Sequence, residues 1–161
     1  MFRECLVAIG DPSLFATHAS FLRQRSQPMH YLAKVLREQG EFVEAQQLLI
    51  DAIDDRQKAE MGASREHQGL LADHWSELGL TYYRSGEYSQ AIDAAQQSMR
   101  LASRYDARNL LVLAMAQRQQ HDVDKAHLCH AKARSLIQKM RMPSDELTHL
   151  RAEADRLLRV E

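Results

Sequence analysis

Apolar residues recur every three or four positions along this chain, in paired segments separated by short polar turns. Three stretches share the pattern, at residues 29–53, 74–99 and 109–136. In each, an amphipathic segment precedes a tight turn and a second amphipathic segment, which predicts three helical hairpins. A stripe of Leu and Ala follows Pro143, and Ser144 is suited to cap the helix that carries it. The pattern therefore predicts an all-α repeat protein with a C-terminal capping helix.

The turns align the three hairpins with one another. Gly40, Gly86 and His121 occupy the same position, where glycine would end the first helix in a left-handed backbone conformation. Small residues recur at two later positions of every hairpin. They are Ala45, Ala91 and Ala126, and then Ala52, Ser98 and Ala133. Small side chains there predict that two antiparallel helices approach closely.

The spacing of the turns differs along the chain. The first two turns lie 46 residues apart and the next two 35. We interpret the longer interval as lengthened helices without a disordered linker, with Gly62 ending one helix and Ser64 capping the next. We expect a single domain over residues 1–161. Its parts are an N-terminal helical segment (1–25), repeats at 26–60, 64–105 and 106–141, and the capping helix at 144–160.

The N-terminal segment gives weaker signals. Asp11 and Pro12 are typical of a helix start, and the apolar pattern extends that helix to about Gln24. Pro28 predicts the start of a separate helix, because proline fits the first helical turn better than the interior. An exposed apolar face formed by Leu6, Val7, Ile9 and Phe15 would allow two copies to pair, so self-association is an alternative function.

Composition excludes several classes of protein. The net charge of −1 provides no broad field for nucleic acid or a membrane surface, and aromatic residues are only 6% of the chain. No apolar run approaches the ~20 residues of a membrane span. Two cysteines, Cys5 and Cys129, form no disulfide framework and favour a reducing cytoplasm. We therefore expect a cytoplasmic protein that binds neither nucleic acid nor membrane.

The second hairpin carries a recognisable signature, W-x2-L-G-x2-Y-x3-G-x4-A-x3-A. Its residues are Trp75, Leu78, Gly79, Tyr82, Gly86, Ala91 and Ala95. This spacing resembles the tetratricopeptide repeat (TPR) family. The first hairpin is a weaker match, and the third departs further, with Gln117 replacing an aromatic residue and His130 at a normally apolar position. The resemblance implies a right-handed superhelical stack that binds other proteins.

A narrower likeness concerns the C-terminal half. The run from Tyr83 and the closing DELTHLRAEADRLL segment resemble the end of bacterial TPR proteins that often carry a serine/threonine kinase domain upstream. The chain itself has no Gly-rich phosphate loop, H-R-D or D-F-G motif. The likeness implies either a stand-alone relative or the interaction segment of a larger signalling protein.

The resemblance also implies which residues face a concave groove, since the first helix of each repeat lines it. The groove residues are His30, Lys34, Arg37, Leu80, Tyr83, Arg84, Arg108, Leu111, Met115 and Arg118. Basic residues are in excess there, and arginine suits a carboxylate because its planar fork donates two parallel bonds. We expect an acidic peptide or helix of another protein as the partner. The alternative is an ordinary solvated helix face.

The apolar groove residues allow two interpretations. Leu80, Tyr83, Leu111 and Met115 would either anchor a partner helix or belong to a core that the capping helix covers. The only asparagine, Asn109, is not a groove residue, which disfavours the carboxylate clamp of chaperone-binding TPR proteins.

No residue cluster predicts catalysis or a cofactor. The candidates for a metal site, His121, His127, Cys129 and His130, do not share one helical face, so we expect no metal. The sequence has no G-x-S-x-G, H-E-x-x-H or phosphate-loop motif, so we expect no enzyme activity.

Overall fold

The computed structural model describes residues 19–59, 65–103 and 105–159. This part of the chain contains seven α-helices and no β-strand. The helices are α1 (Ala19–Gln39), α2 (Phe42–Lys58), α3 (Arg65–Ser85), α4 (Tyr88–Ala102), α5 (Ala107–Gln119), α6 (Val123–Gln138) and α7 (Asp145–Leu157). The expectations for a helix start at Pro12, for the apolar face from Leu6 to Phe15, and for Gly62 and Ser64 lie outside the described residues.

The helices form three hairpins and a closing helix. α1 packs on α2, α3 on α4 and α5 on α6, while α2 contacts α3 and α4 contacts α5. The first helices also touch in sequence order, α1 against α3 and α3 against α5, and α7 packs against α5. This arrangement is an all-α helical repeat, as the sequence pattern predicts.

The three turns share one hydrogen-bonding pattern. Gly40 and Gly86 have φ values of +84° and +85°, and His121 adopts the same left-handed region at +64°. In each turn the next residue donates its N–H to a carbonyl five positions earlier, as Glu41 does to Leu36 at 2.9 Å. These are Schellman caps, which satisfy the last carbonyls of the first helix. The predicted alignment of the turns is confirmed.

Small residues set the distance between paired helices. All six predicted small positions, from Ala45 to Ala133, are buried. At Gly79 a Cβ atom would lie 3.2 Å from the backbone nitrogen of Ala95 and 3.4 Å from the carbonyl oxygen of Ala91. The α3–α4 pair is therefore packed backbone against backbone at this point, which only glycine permits without a shift.

The prediction that Pro28 begins a helix is wrong. α1 runs without a break from Ala19 to Gln39, with Pro28 in its interior. Leu22, Met29 and Ala33 are buried on one face of α1 on both sides of the proline, so packing continues through it. Pro28 itself is exposed. Burial of this continuous face outweighs the hydrogen bond that proline removes, because tertiary packing supplies most helix stability in proteins.

The capping helix α7 begins where the sequence places it. Ser144 accepts a hydrogen bond from the Leu147 N–H at 3.3 Å and so caps the helix. Leu150, Ala154 and Leu158 are buried, and they pack into the core with residues of α5 and α6. The face of α7 beside this apolar stripe carries Glu146 and Glu153.

Candidate interaction surface

The first helices of the three hairpins together form a surface that faces α7. We call it the inner surface and define it by the residues of α1, α3 and α5 that meet α7 or its ion-pair partners. They are Lys34, Arg37, Glu77, Leu80, Tyr83, Arg84 and Arg108. All except Glu77 belong to the predicted groove.

Glu77 lies at the centre of a buried ion-pair cluster. Its carboxylate accepts a 2.7 Å bond from Arg37 Nε and a further bond from Arg108 Nη2, so it joins α1, α3 and α5. The side chain is 1% exposed. Burial alone would raise the pKa of Glu77, but Arg108 and Arg37 outweigh it and lower that pKa to about 2. Glu77 is therefore a fixed negative charge.

Glu146 of α7 extends the same cluster from the other side. Its Oε1 lies 3.3 Å from Arg37 Nη2 and 3.5 Å from Arg108 Nη2, and its Oε2 lies 3.6 Å from Lys34 Nζ. Arg37 and Arg108 thus each contact both Glu77 and Glu146. The pKa of Arg108 is raised, since the attraction of Glu77 and Glu146 outweighs burial.

Glu153 forms a second ion-pair contact about two helical turns after Glu146 on α7. We call Glu146 and Glu153 the two anchors of α7. Its two oxygens accept bonds of 2.7 Å from the two Nη atoms of Arg84. Tyr83 Oη donates to Glu153 Oε1 at 3.1 Å, and the Arg84 guanidinium lies 5.5 Å from the Tyr83 ring centroid. Burial, and then the Glu153 charge, raise the pKa of Tyr83. The phenol is therefore a neutral donor to this carboxylate.

The three carboxylates that these cations hold are not among the groove residues predicted from the sequence. Glu77 lies on the same helical face as Leu80 and Arg84, at spacings of three and seven residues, so periodicity carried a signal for it. Glu146 and Glu153 are seven residues apart and share a face of α7 for the same reason. Their pairing with Arg37 and Arg84 had no local signal, because it depends on where α7 lies.

The four apolar residues of the predicted groove are buried. Leu111 and Met115 have no exposed surface, Leu80 is 1% exposed and Tyr83 9%. All four belong to one core cluster that also contains Leu150 and Ala154 of α7. The structure therefore favours the interpretation that these residues form core under the capping helix.

The two other predicted residues lie away from the α7 ion pairs. Arg118, near the end of α5, is half-buried and makes no ion pair within the described ranges. His30 is half-buried on α1, where its Nδ1 lies 3.1 Å from Nδ1 of His74 on α3. His74 is 1% exposed, and burial, with His30 and Arg56 nearby, lowers its pKa to about 3. The two imidazoles therefore share one hydrogen bond as neutral rings.

Two openings flank Glu146. A pocket of about 310 Å³ separates the two anchors and is lined by cations of α1 and α3 and by Glu146, His149 and Leu150 of α7. A second pocket of about 310 Å³ lies on the other side of Glu146, between α3, α5 and the start of α7. α7 thus bridges the inner surface through its side chains and leaves Lys34 and Arg84 partly open to solvent.

Of the histidines and the cysteine of α6, His130 has a partner on α7. His130 Nε2 lies 2.6 Å from Asp155 Oδ1 of α7, and this bond explains a polar residue at an apolar repeat position. Cys129 is half-buried, and burial raises the pKa of its thiol. Over residues 19–59, 65–103 and 105–159, no three His, Cys, Asp or Glu side chains are grouped to hold a metal ion. No helix in these ranges has both the length and the apolarity to span a membrane.

Comparison with known proteins identifies the repeat. Residues 29–60 match the family model described as tetratricopeptide repeat, and no curated protein matches the chain. Among solved structures, the chain is similar to the C-terminal TPR-containing domain of a Plasmodium falciparum protein assigned as FK506-binding. The TM-score is 0.68 at 16% identity, over 88% of this chain and 93% of that one. The chain has the helical-repeat fold of tetratricopeptide repeat proteins.

Proposed function

We propose that this chain is a protein–protein interaction module whose inner surface binds an acidic amphipathic helix of a partner protein. One observation carries the proposal: lysine and arginine side chains from α1, α3 and α5 hold the carboxylates of a helix, α7. Positions that resemble a TPR groove are therefore chemically matched to an acidic helix.

The geometry at Glu153 favours a carboxylate over other anions. Arg84 bonds both oxygens of Glu153 in parallel, which is the planar match between a guanidinium and a carboxylate. Tyr83 adds a neutral donor to the same group. A glutamate on a partner helix would meet the same three donors.

The test uses the full chain and a fluorescent peptide with the sequence of residues 143–159. Binding is measured by anisotropy with the wild-type chain and with a Glu146→Gln, Glu153→Gln chain, whose own α7 is held less strongly. We expect saturable binding that weakens as salt is added, because charge pairs are screened. A peptide with Asp145→Asn should bind equally well, since Asp145 is exposed and makes no ion pair among the described residues.

A charge exchange separates specific binding from general attraction. In the Glu146→Gln, Glu153→Gln chain, Arg84→Glu should weaken the peptide at least about tenfold, and a peptide with Glu153→Arg should recover most of the loss, since the pair is restored in reverse. If neither the wild-type chain nor the Glu146→Gln, Glu153→Gln chain binds the peptide, the proposed function is overturned. Binding that Arg84→Glu leaves unchanged would place the interaction at another surface and overturn this assignment.

A further inference from the structure

We infer that α7 is a built-in competitor for the inner surface, so that a partner helix binds by displacing it. This inference rests on the proposed function and adds the regulation of the same site. The partner would be an acidic amphipathic helix that repeats the spacing of α7, with glutamates seven residues apart and leucines between and after them.

The attachment of α7 has two different parts. One part is apolar: Leu150, Ala154 and Leu158 pack into the core with residues of α3, α5 and α6, and the His130–Asp155 bond lies beside them. The other part is ionic: Glu146 and Glu153 pair with cations of α1, α3 and α5. Neither glutamate is fully buried; their side chains are 33% and 27% exposed. Partly exposed ion pairs of this kind contribute modestly and can be exchanged for equivalent pairs with another helix.

The contacts of α7 define the competing helix. A replacement must supply two carboxylates to Lys34, Arg37 and Arg84, and it must cover the core that Leu150, Ala154 and Leu158 cover. In α7 this reads E-x3-L-x2-E-A-x3-L from Glu146 to Leu158. A helix with carboxylates alone would leave Leu111 and Met115 in water, and a helix with leucines alone would remove the carboxylate that Arg84 binds.

Covalent attachment gives α7 an advantage over any partner. Only residues 139–144 join α6 to α7, so α7 is present at an effective concentration on the order of millimolar. The apparent affinity for a partner is the intrinsic affinity multiplied by the fraction of molecules with α7 released. Substitutions that loosen α7 without changing the inner surface must therefore increase partner binding.

This requirement gives the two sides of one ion pair opposite effects. Arg84→Glu, made in the Glu146→Gln, Glu153→Gln chain whose own α7 no longer uses this ion pair, removes a donor to the partner and should weaken the 143–159 peptide. Glu153→Gln in the chain loosens α7 alone and should strengthen binding of the unmodified peptide. With Glu146→Gln added we expect roughly three- to tenfold tighter binding than wild type. Asp145→Asn is the matched control, removing an α7 carboxylate that meets no cation in the described structure.

Hydrogen exchange provides a second readout that does not depend on affinity. Saturating peptide should lower the protection of amides 148–157, since the resident helix leaves the inner surface, while amides of α3 and α4 stay protected. Equal affinities of the wild-type and glutamine chains, or α7 amides that stay protected with peptide bound, would overturn the competition and leave the proposed function intact. No binding by any chain would overturn both.

Sedimentation of a mixture of the wild-type and Glu146→Gln, Glu153→Gln chains identifies the source of the occupant, since the wild-type α7 carries both glutamates and the variant's inner surface is unchanged. A monomer at all concentrations supports a helix from a different protein. A dimer that dissociates when the 143–159 peptide is added would show that α7 of a second copy is the occupant, and it would overturn the assignment to another protein.

Discussion

Arg84 of α3 and Glu153 of α7 form a two-bonded ion pair across 69 residues of sequence, with both Nη–Oε distances at 2.7 Å. The pair attaches the closing helix to the second hairpin, although the two helices belong to units that are not adjacent in the chain. Arg84, which the sequence predicts to bind a partner, is therefore paired with a carboxylate of the same chain.

The strength of this pair is measurable by a double-mutant cycle. Arg84→Met, Glu153→Gln and the double variant should give a coupling free energy of about 0.5–1 kcal/mol, at the upper end for partly exposed pairs because the geometry is bidentate. Urea unfolding at about 0.05 M and 0.5 M salt is the measurement, and the coupling should shrink at the higher salt. A coupling of zero at low salt would show that the bonds do not stabilise the fold.

Glu77 is expected to matter far more than the carboxylates of α7. Glu77→Gln removes the most buried carboxylate from Arg37 and Arg108 and leaves the partly exposed Glu146 as their shared counter-charge, so it should cost about 3 kcal/mol in the free energy of unfolding. Glu38→Gln is the matched control, because Glu38 is exposed and 3.9 Å from Arg37, and it should change stability by less than about 0.5 kcal/mol. Similar effects of the two variants would contradict the central role of Glu77.

Acid should destabilise the fold through His74. Its pKa is lowered to about 3 in the folded chain, whereas an unfolded histidine titrates near 6.5. Between these values the unfolded state binds a proton that the folded state excludes, so stability present above pH 6.5 is lost as pH falls toward 3. The limiting slope is about 1.4 kcal/mol per pH unit for one group.

A substitution isolates that contribution. In His74→Gln the acid-side slope of the unfolding free energy between pH 7 and 5 should be smaller than in wild type, measured by urea unfolding at each pH. His127→Gln serves as the control, since His127 is exposed on α6, and it should keep the wild-type slope. Equal slopes in wild type and His74→Gln would show that another group causes the acid sensitivity.

Two glycines of α3 should respond in opposite directions to alanine. Gly69→Ala adds a Cβ with no atom within 4 Å and should stabilise by roughly 0.5–1 kcal/mol, because alanine is the better helix former. Gly79→Ala brings a Cβ to 3.2 Å from a backbone nitrogen of α4, which cannot move independently of its helix. We expect destabilisation of roughly 1–3 kcal/mol, as for overpacked cores. Thermal unfolding of the pair is the check, and equal shifts would contradict the close α3–α4 approach.

Most of the fold was determined by the sequence alone. Periodicity predicts the hairpins, and Gly40, Gly86 and His121 mark turns that adopt one left-handed geometry. These features follow from contacts within a few residues, where propensity, capping and small side chains act directly. Pro28 is the exception, since a local rule against interior proline is outweighed by burial on both sides of it.

Only the tertiary structure decided what the basic residues of the first helices bind. Arg37 and Glu146 are 109 residues apart, and they meet because the stacked hairpins bring α7 alongside α1 and α3. Periodicity assigns a side chain to a face of its helix, but it does not specify which distant helix lies opposite that face. The sequence therefore predicted a basic surface that prefers carboxylates, and the fold places carboxylates there from α3 and from α7.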